Sequence, residues 1–375
     1  MNTDIGDDSE GGINGKLVAR RKCTSRTPPI SGGALSEHDE SAGTPSLSNG
    51  SPTEAILWSA IAGDLCRRGA VIYRMDASVK ASYHLPGLFE FYELYRVFLP
   101  LFREHREYFY DWCVIASVYG APADCLWGGG RAGFGEDRPA AVAELMREYG
   151  ISARLTFSNS LLRPEHLTDA RCNALCALFE HSGAVPNGVI LSSDLLLAYL
   201  QENYPGFYFV SSTTKVLREF PRFEEELNRE AFRFVVPDFR LNKAFEPLNA
   251  LTEGQKRKVE FLCNECCRID CPDRKACYEA VSRKNLGEDG AEHICCSPEA
   301  ARGYRFSDAM KNPAFIGIGD ILHTYLPNGF SHFKIEGRSL GSALILEFLL
   351  YYLTKPEYQL KVREEIYLDS SLDLF

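Results

Sequence analysis

From about residue 112 the chain alternates short apolar runs with stretches of helical periodicity, and this alternation limits the possible folds more than any other feature. Two parallel strands need a long crossover between them, usually a helix, so the repeated order predicts a parallel sheet with helices packed outside it. Eight candidate strands over roughly 250 residues favour an α/β fold of the (β/α)8 TIM-barrel type, incomplete or distorted in places, with a doubly wound open sheet as the alternative. The predicted strands are 113–119, 151–158, 188–192, 207–212, 232–237, 259–264, 314–318 and 331–336.

The segments between the strands predict helices. Pro139 suits the first turn of a helix over 139–149, because proline lacks the N–H that this position leaves unpaired. Asp194 is predicted to be the N-cap of a helix over 195–203. The most apolar stretch, 340–353, is shorter than the roughly 20 residues of a membrane span, so it predicts a buried helix.

Composition changes along the chain and predicts four parts. The first is rich in Gly, Ser, Thr, Pro and Asp, which bury too little apolar surface to offset the entropy of ordering, so we expect it to be disordered. The second has helical apolar spacing and includes an aromatic-rich pair of helices, 88–110, that Pro100 is expected to break. The four parts are a disordered tail over 1–53, a helical segment packed on the barrel over 54–111, the barrel over 112–355 with a cysteine-rich insertion over 263–296, and a C-terminal tail over 356–375.

The charge balance and the absence of targeting signals narrow the possible partners. Lys and Arg number 41 against 51 Asp and Glu, a formal net charge of −10. Such a balance argues against broad, charge-driven binding of nucleic acid, although a local basic groove stays open. We see neither a secretory h-region nor a membrane span, and with free thiols this favours a reducing cytoplasm.

Polar residues follow the predicted strands, where a barrel places its chemistry. Glu265 and Glu336 are candidates for a general acid/base pair, and Arg131 or Arg338 for a clamp on a carboxylate or phosphate. The glycines 128–130 would let the backbone before Arg131 approach a ligand closely. The alternative for each polar residue is that it merely caps the following helix. The candidate substrate-binding residues are Arg131, Asn159 and Asn264.

Seven of the 13 cysteines lie between residues 263 and 296, in the strings CNECCRIDCPDRKACY and HICC. A secreted disulfide scaffold would be cysteine-dense throughout, so this local cluster indicates a metal site or local redox chemistry instead. Thiolates at short spacing could hold an iron–sulfur cluster or a tetrahedral zinc ion, and unligated buried thiols are the remaining alternative. Cys172 and Cys176, four residues apart on a helix, are predicted to be core.

The string FLCNECCRIDCPDRKACY and the late strand HFKIEGR (332–338) resemble peptidase family U32, the collagenase-like peptidases, over roughly 113–353. The resemblance implies a barrel-type fold and a [4Fe-4S] cluster held by four cysteines, as in members that support oxygen-independent hydroxylation of RNA bases or of a quinone precursor. By position, Cys267 and Cys271 match the family's paired cysteines, and Cys295 or Cys296 matches the later one. The family's peptidase motif places Gly before each cysteine of the pair, and that pattern is absent here. For the fourth ligand Cys277 competes with Cys266 and Cys263, so the expected set is Cys267, Cys271, Cys277 and Cys296.

Together these observations predict a cytoplasmic barrel enzyme with an iron–sulfur cluster beside its mouth. We expect oxygen-independent hydroxylation or a related redox modification of RNA or a small aromatic molecule, with an electron-donor or other partner protein. Glu265, Glu336 and Arg338 are the expected catalytic residues. The alternatives are a metal-independent or zinc-stabilised peptidase or other hydrolase, and a non-catalytic barrel that binds a partner.

Overall fold

The computed structural model describes residues 80–123, 125–131, 135, 138–288, 293–295 and 297–372. The predicted tail over 1–53, the first part of the predicted helical segment, 54–79, and Cys296 lie outside the described residues.

Eight parallel strands form one sheet in the order β6-β5-β4-β3-β2-β1-β8-β7. A bridge between Val235 and Val259 joins the two ends of this order, which leaves the barrel nearly closed. The predicted (β/α)8 barrel is therefore confirmed. The strands are β1 (Ala81–Pro86), β2 (Cys113–Gly120), β3 (Ser152–Phe157), β4 (Gly188–Leu191), β5 (Tyr208–Ser211), β6 (Phe232–Val235), β7 (Glu260–Leu262) and β8 (His332–Lys334).

Seven of the predicted strands are present, but the eighth was placed at the wrong end of the chain. Strand β1 lies in the segment for which helices were predicted, because its inward positions carry polar Ser82 and His84 rather than a continuous apolar run. The prediction of a strand over 314–318 is wrong. Ile316 donates one backbone hydrogen bond to Cys263 (3.0 Å), and a helix begins at Ile318.

Helices follow the strands and cover the outside of the barrel. They are α1 (Tyr92–Glu104), α2 (Pro139–Tyr149), α3 (Ala170–Glu180), α4 (Asp194–Asn203), α5 (Phe220–Leu227), α6 (Phe245–Ala250), α7 (Glu253–Lys256), α8 (Arg274–Asn285), α9 (Pro298–Arg302), α10 (Phe306–Lys311), α11 (Ile318–Asp320, continued by a π-helical turn over Ile321–Tyr325), α12 (Ser342–Leu353) and α13 (Gln359–Leu372).

Three helix predictions can now be judged. Helix α12 is buried, as predicted, with Leu346, Leu349 and Leu353 in the core. Each fully buried leucine contributes about 1.5–3 kcal/mol relative to an exposed one. Pro100 does not break its helix, because α1 continues through it to Glu104. The N-cap of α4 is Ser193, whose side chain accepts a hydrogen bond from the Leu196 N–H, and the predicted cap Asp194 is the first helical residue.

Two apolar clusters lie on opposite sides of the sheet. The larger one fills the space between the strands and the surrounding helices. The smaller one, inside the barrel, consists of Tyr119, Ile190, Val210, Phe234 and Val236. Because side chains alternate along a strand, the inward positions of β8 are the polar His332 and Lys334, whereas Phe333 packs outward. The barrel interior thus carries ionisable side chains near its axis.

Candidate active site

The carboxyl ends of the strands enclose a polar cavity of about 60 Å³. Its wall includes hydroxyl groups and three cationic side chains, and it lies where a barrel of this kind places its chemistry. The hydroxyl oxygens of Thr156 and Ser158 are buried and have no hydrogen-bond partner among the described residues. A bound ligand or water would satisfy them. The polar lining residues are Tyr119, Arg131, Thr156, Ser158, Ser212, Thr213, Thr214, Tyr278, Lys334, Glu336, Arg338 and Ser339.

Arg131 joins the two carboxylates that the sequence predicts as an acid/base pair. Its Nη2 donates to Glu265 Oε1 at 2.9 Å and to Glu336 Oε2 at 3.1 Å, and its Nη1 lies 3.2 Å from Cys266 Sγ. The guanidinium also lies 5.6 Å from the centre of the Tyr278 ring. Arg131 is therefore a cation shared by both carboxylates at the wall of the cavity.

A second arginine, which the sequence analysis missed, holds the other side of Glu265. Arg274, near the N-terminus of α8, donates to Glu265 Oε2, and its Nε lies 3.3 Å from Asp238 Oδ2. Arg274, Glu265 and Asp238 are all buried. The sequence indicated Arg274 only through its place in the cysteine-rich string. Its burial beside Glu265 and Asp238 follows the rule that a buried charge needs a charged partner.

The two carboxylates are pushed towards opposite protonation states. Burial favours the protonated form of Glu265, but Arg274 and Arg131 outweigh it and hold the pKa of Glu265 well below its ordinary value. Burial raises the pKa of Glu336, and the neighbouring Glu265 carboxylate raises it further, against the opposing effect of Arg131. A separation of this kind between paired carboxylates is how one site provides both a proton donor and an anion. Of the two, Glu336 is the carboxylate whose pKa is shifted towards the protonated form.

The two predicted asparagines hydrogen-bond to backbone groups of the protein. Asn264 links β7 to the residue after β8: its Nδ2 donates to the Glu336 carbonyl at 3.1 Å, and its Oδ1 accepts from the Glu336 N–H at 2.7 Å. Asn159 is fully buried, and its Nδ2 donates to the carbonyls of Leu126 (2.9 Å) and Ser282 (3.1 Å). Both amides hydrogen-bond to the chain itself, and substrate binding by them stays a prediction.

Arg338 lies at the cavity but is held by other groups. Its Nε donates to Glu90 Oε1 at 2.7 Å, and its Nη2 donates to the Ala121 carbonyl at 2.7 Å. Of the three glycines before Arg131, Gly129 packs against the protein itself, since a Cβ there would stand 2.3 Å from the Ser158 carbonyl oxygen. This glycine therefore lets one loop pass close to the end of β3.

The thiols predicted as metal ligands lie beside this network. Cys267, Cys271 and Cys277 are half-buried, and Cys295 is exposed. Burial and the Glu265 carboxylate raise the pKa of Cys267 to about 12, with a further contribution from Cys271. Burial also raises the pKa of Cys277, with contributions from Cys295 and Cys271.

The backbone connects the thiols to the cavity. The Cys267 N–H donates to Glu265 Oε1 at 2.9 Å, the same oxygen that Arg131 binds. Asn312 donates to the carbonyls of Glu265 (3.1 Å) and Cys267 (2.9 Å) and so braces the turn between them. The predicted core cysteines Cys172 and Cys176 are confirmed as buried residues of α3.

Comparison with known proteins gives little to set beside this geometry. No protein-family model matches the chain, and no curated protein does. A solved structure, the U32 peptidase Mk0906, is similar over 69% of this chain and 93% of its own, with 12% sequence identity and a TM-score of 0.42. A likeness this distant assigns no activity, so membership of the family stays a prediction. Within the described part of the chain, no helix is both long and apolar enough to cross a bilayer.

Proposed function

We propose that this barrel holds an iron–sulfur cluster through thiols of the 263–296 segment and modifies a small molecule in the cavity by oxygen-independent redox chemistry, with hydroxylation the first option. One observation carries the proposal: the Glu265 carboxylate binds both the Cys267 N–H and Arg131, so the thiol segment and the cavity share one hydrogen-bonded network. Soft thiolates at short spacing are the ligands that such clusters use. The cluster would supply electron transfer next to the substrate.

In the described part of the chain, the proposed thiols do not form a group tight enough for a zinc ion, and thiolates are ligands that an iron–sulfur cluster also accepts. Zinc binds four ligands tetrahedrally at about 2.3 Å, which brings its sulfur atoms to within roughly 3.8 Å of one another. Among the described residues, the group of three or more potential ligand atoms within 4.8 Å is Glu265, Cys266 and Glu336, which Arg131 already pairs. The proposed cluster ligands are Cys267, Cys271 and Cys277, with Cys296 or its neighbour Cys295 as the fourth.

The remaining residues bind and orient the substrate. Arg131 offers a cation to an anionic substrate group, and the hydroxyls of Thr156 and Ser158 offer hydrogen bonds that no protein group uses. The raised pKa of Glu336 suits a general acid at the cavity wall. A volume of about 60 Å³ admits a small polar group or part of a ring, which favours a small molecule over an RNA segment.

Redox turnover also requires an electron carrier. Hydroxylation with oxygen from water releases two electrons and two protons. A partner protein or small carrier would therefore have to accept electrons, the reverse of the electron donor expected from the sequence, while the protons pass to solvent. An open groove of about 630 Å³ lies on the outer side of Cys266 and Cys267 and also includes Arg268, Tyr304 and Lys311. This groove gives a carrier a route to the thiols that does not pass through the cavity.

Anaerobic purification followed by iron, sulfide and zinc analysis tests the proposal. We expect about four iron and four sulfide per chain, lost in Cys267→Ser and Cys271→Ser and retained in the control Cys176→Ser, whose thiol is buried on α3. Zinc in place of iron would overturn the redox part of the proposal. A protein without metal would overturn both metal readings.

The opposite pKa shifts of Glu265 and Glu336 also support a second candidate, a hydrolase that needs no metal for its chemistry. A protonated and an ionised carboxyl group at one cavity can serve as general acid and general base. Cleavage of a peptide panel that survives Cys267→Ser but is lost in Glu336→Gln would favour the hydrolase. The opposite pattern would exclude it.

A further inference from the structure

Lys334 is a buried amine at the cavity that neither proposed function uses. It is the last residue of β8, is 4% exposed and lines the cavity. Lys334 and Glu336 are two residues apart, so their side chains leave the chain on the same side, and both line the cavity. The Lys334 ammonium nitrogen lies 3.6 Å from the centre of the Tyr119 ring. This lysine can therefore meet a ligand that enters the cavity.

The charges around Lys334 are unbalanced. Glu260 Oε2 accepts from Arg154 Nη1 at 2.5 Å, and Glu260 Oε1 accepts from Lys334 Nζ at 3.3 Å. One carboxylate thus faces two cations inside the barrel. Arg154 keeps its charge at any ordinary pH, so Lys334 is the cation that can become neutral.

The surroundings favour that neutral form. Burial lowers the pKa of Lys334 to about 8, with the Arg154 charge acting in the same direction and Glu260 opposing it. The neutral amine is the form of lysine that attacks a carbonyl carbon, and desolvation or a neighbouring cation increases its fraction. The titratable and charged side chains around Lys334 are Glu260 on β7, Arg154 on β3, His84 on β1, Tyr119 on β2, and Glu336 and Arg338 after β8.

We propose that Lys334 is a carbonyl-binding lysine that forms a Schiff base with a small aldehyde or ketone held in the cavity. The neutral amine adds to the carbonyl carbon, and its proton moves to the oxygen to give a carbinolamine. Glu336 then protonates this hydroxyl, which leaves as water, and the nitrogen becomes a protonated imine opposite the Glu336 carboxylate. Atoms and charge balance without an oxidant or a metal.

This inference goes beyond the proposed redox function and shares only the cavity with it. Schiff-base formation at Lys334 needs none of the thiols, so the two can fail separately. A chain that is trapped at Lys334 but contains no iron would support the lysine and refute the cluster. A chain that contains iron but is not trapped at Lys334 would do the reverse.

Reductive trapping tests the inference on the purified full-length chain. The protein is incubated at neutral pH with glycolaldehyde or glyoxylate and sodium cyanoborohydride, and peptide mass mapping measures the labelling rate of each lysine. We expect Lys334 to be labelled at least about tenfold faster than Lys311, whose side chain is 76% exposed. The two probes separate a neutral from an anionic carbonyl ligand. Lys334→Arg, which keeps a cation for Glu260, should remove this fast labelling, whereas the matched control Lys311→Arg should keep it.

A second measurement needs no variant. In the wild-type chain, labelling of Lys334 should rise through pH about 8, whereas exposed lysines follow their ordinary pKa of about 10.4. Labelling that is spread over the lysines in proportion to their exposure, with Lys334 unlabelled, would overturn the inference. Fast labelling that persists in a folded Lys334→Arg variant would overturn it as well.

Discussion

Replacing Glu260 by glutamine tests whether the ionic group inside the barrel is as tightly coupled as its geometry indicates. The Glu260 side chain is fully buried and contacts Arg154, Lys334 and, at 3.5 Å, His84. Burial alone would favour its protonated form, but Arg154, His84 and Lys334 outweigh burial and lower the pKa of Glu260 well below its ordinary range. The carboxylate is therefore ionised at neutral pH, and Glu260→Gln removes a full negative charge.

The expected cost follows from the groups left behind. Lys334 can release its proton, but Arg154 cannot, so the variant buries a guanidinium without a counter-ion. Its remaining contacts are the hydrogen bond from Nε to Tyr208 OH at 2.8 Å and the Phe234 ring, whose centre is 4.8 Å from Cζ. Removing one partner of a buried ion pair costs about 3–5 kcal/mol. In a domain of this size, with about 2.1 cal/mol/K of unfolding entropy per residue, that corresponds to a fall in Tm of roughly 5–8 °C.

Thermal unfolding followed by circular dichroism measures this effect. Glu253→Gln is the control, since its side chain is 69% exposed and its bond to Lys256 crosses solvent, so its stability should change by less than about 0.5 kcal/mol. The double variant Glu260→Gln/Arg154→Met should regain part of the loss, because no unpaired guanidinium is left. A Glu260→Gln variant that melts like the control would refute the reasoning, and so would a double variant whose losses simply add.

Three further predictions concern stability. Burial lowers the pKa of His332 to about 4, so His332 stays neutral in the folded chain but is protonated below pH about 6.5 in the unfolded chain. The stability of the fold therefore falls as the pH drops from 6.5 towards 4. His332→Gln should make the dependence of Tm on pH shallower in that range. Gly129→Ala should cost about 1–3 kcal/mol in chemical denaturation, because the new Cβ meets the Ser158 backbone at 2.3 Å. Asn264→Ala removes two hydrogen bonds to the Glu336 backbone and should cost about 2–3 kcal/mol in the same assay.

Each of these has an outcome that contradicts it. An unchanged slope of Tm against pH in His332→Gln would show that this imidazole is already charged or solvated in the folded chain. Gly254→Ala, where the nearest foreign atom is 3.8 Å away, is the control for Gly129→Ala, and equal losses would remove the steric explanation. Asn203→Ala, which loses one exposed bond to the Tyr199 carbonyl, serves the same purpose for Asn264.

The architecture could be predicted because the strand–helix alternation is a local pattern. The prediction of strands failed at two places, a buried strand with polar residues and an apolar run that is not a strand. Strand β1 carries His84 on its inward side, bound to Ser117 Oγ at 2.8 Å, so a buried strand reads as polar. The run at 314–318 is apolar because it packs under α12, and its backbone forms no ladder. Apolar periodicity reports burial, and burial is not confined to strands.

Part of the residue cluster could be predicted from the sequence, but its electrostatics could not. Glu265, Glu336 and Arg131 follow from their places at the ends of strands and beside a glycine-rich loop. The low pKa of Glu265 depends on Arg274, which reaches it from α8 and is nine positions away in sequence. The charge on Lys334 depends on Arg154, which is 180 residues earlier on β3. Such shifts arise from charges that only the closed barrel brings together.

The seam between β6 and β7 has a mechanical consequence. Strand β8 pairs with β1 and with β7 over three residues each. In contrast, the isolated Val235–Val259 bridge joins β6 to the start of β7. Local opening begins where the fewest backbone hydrogen bonds must break. We therefore expect this barrel to open transiently between β6 and β7. The thiol segment leaves the barrel from β7. Such opening would move the thiols relative to residues Ser212–Thr214 of the cavity wall. Lys334 and Glu336 would stay in place, because β8 is paired with a strand on each side.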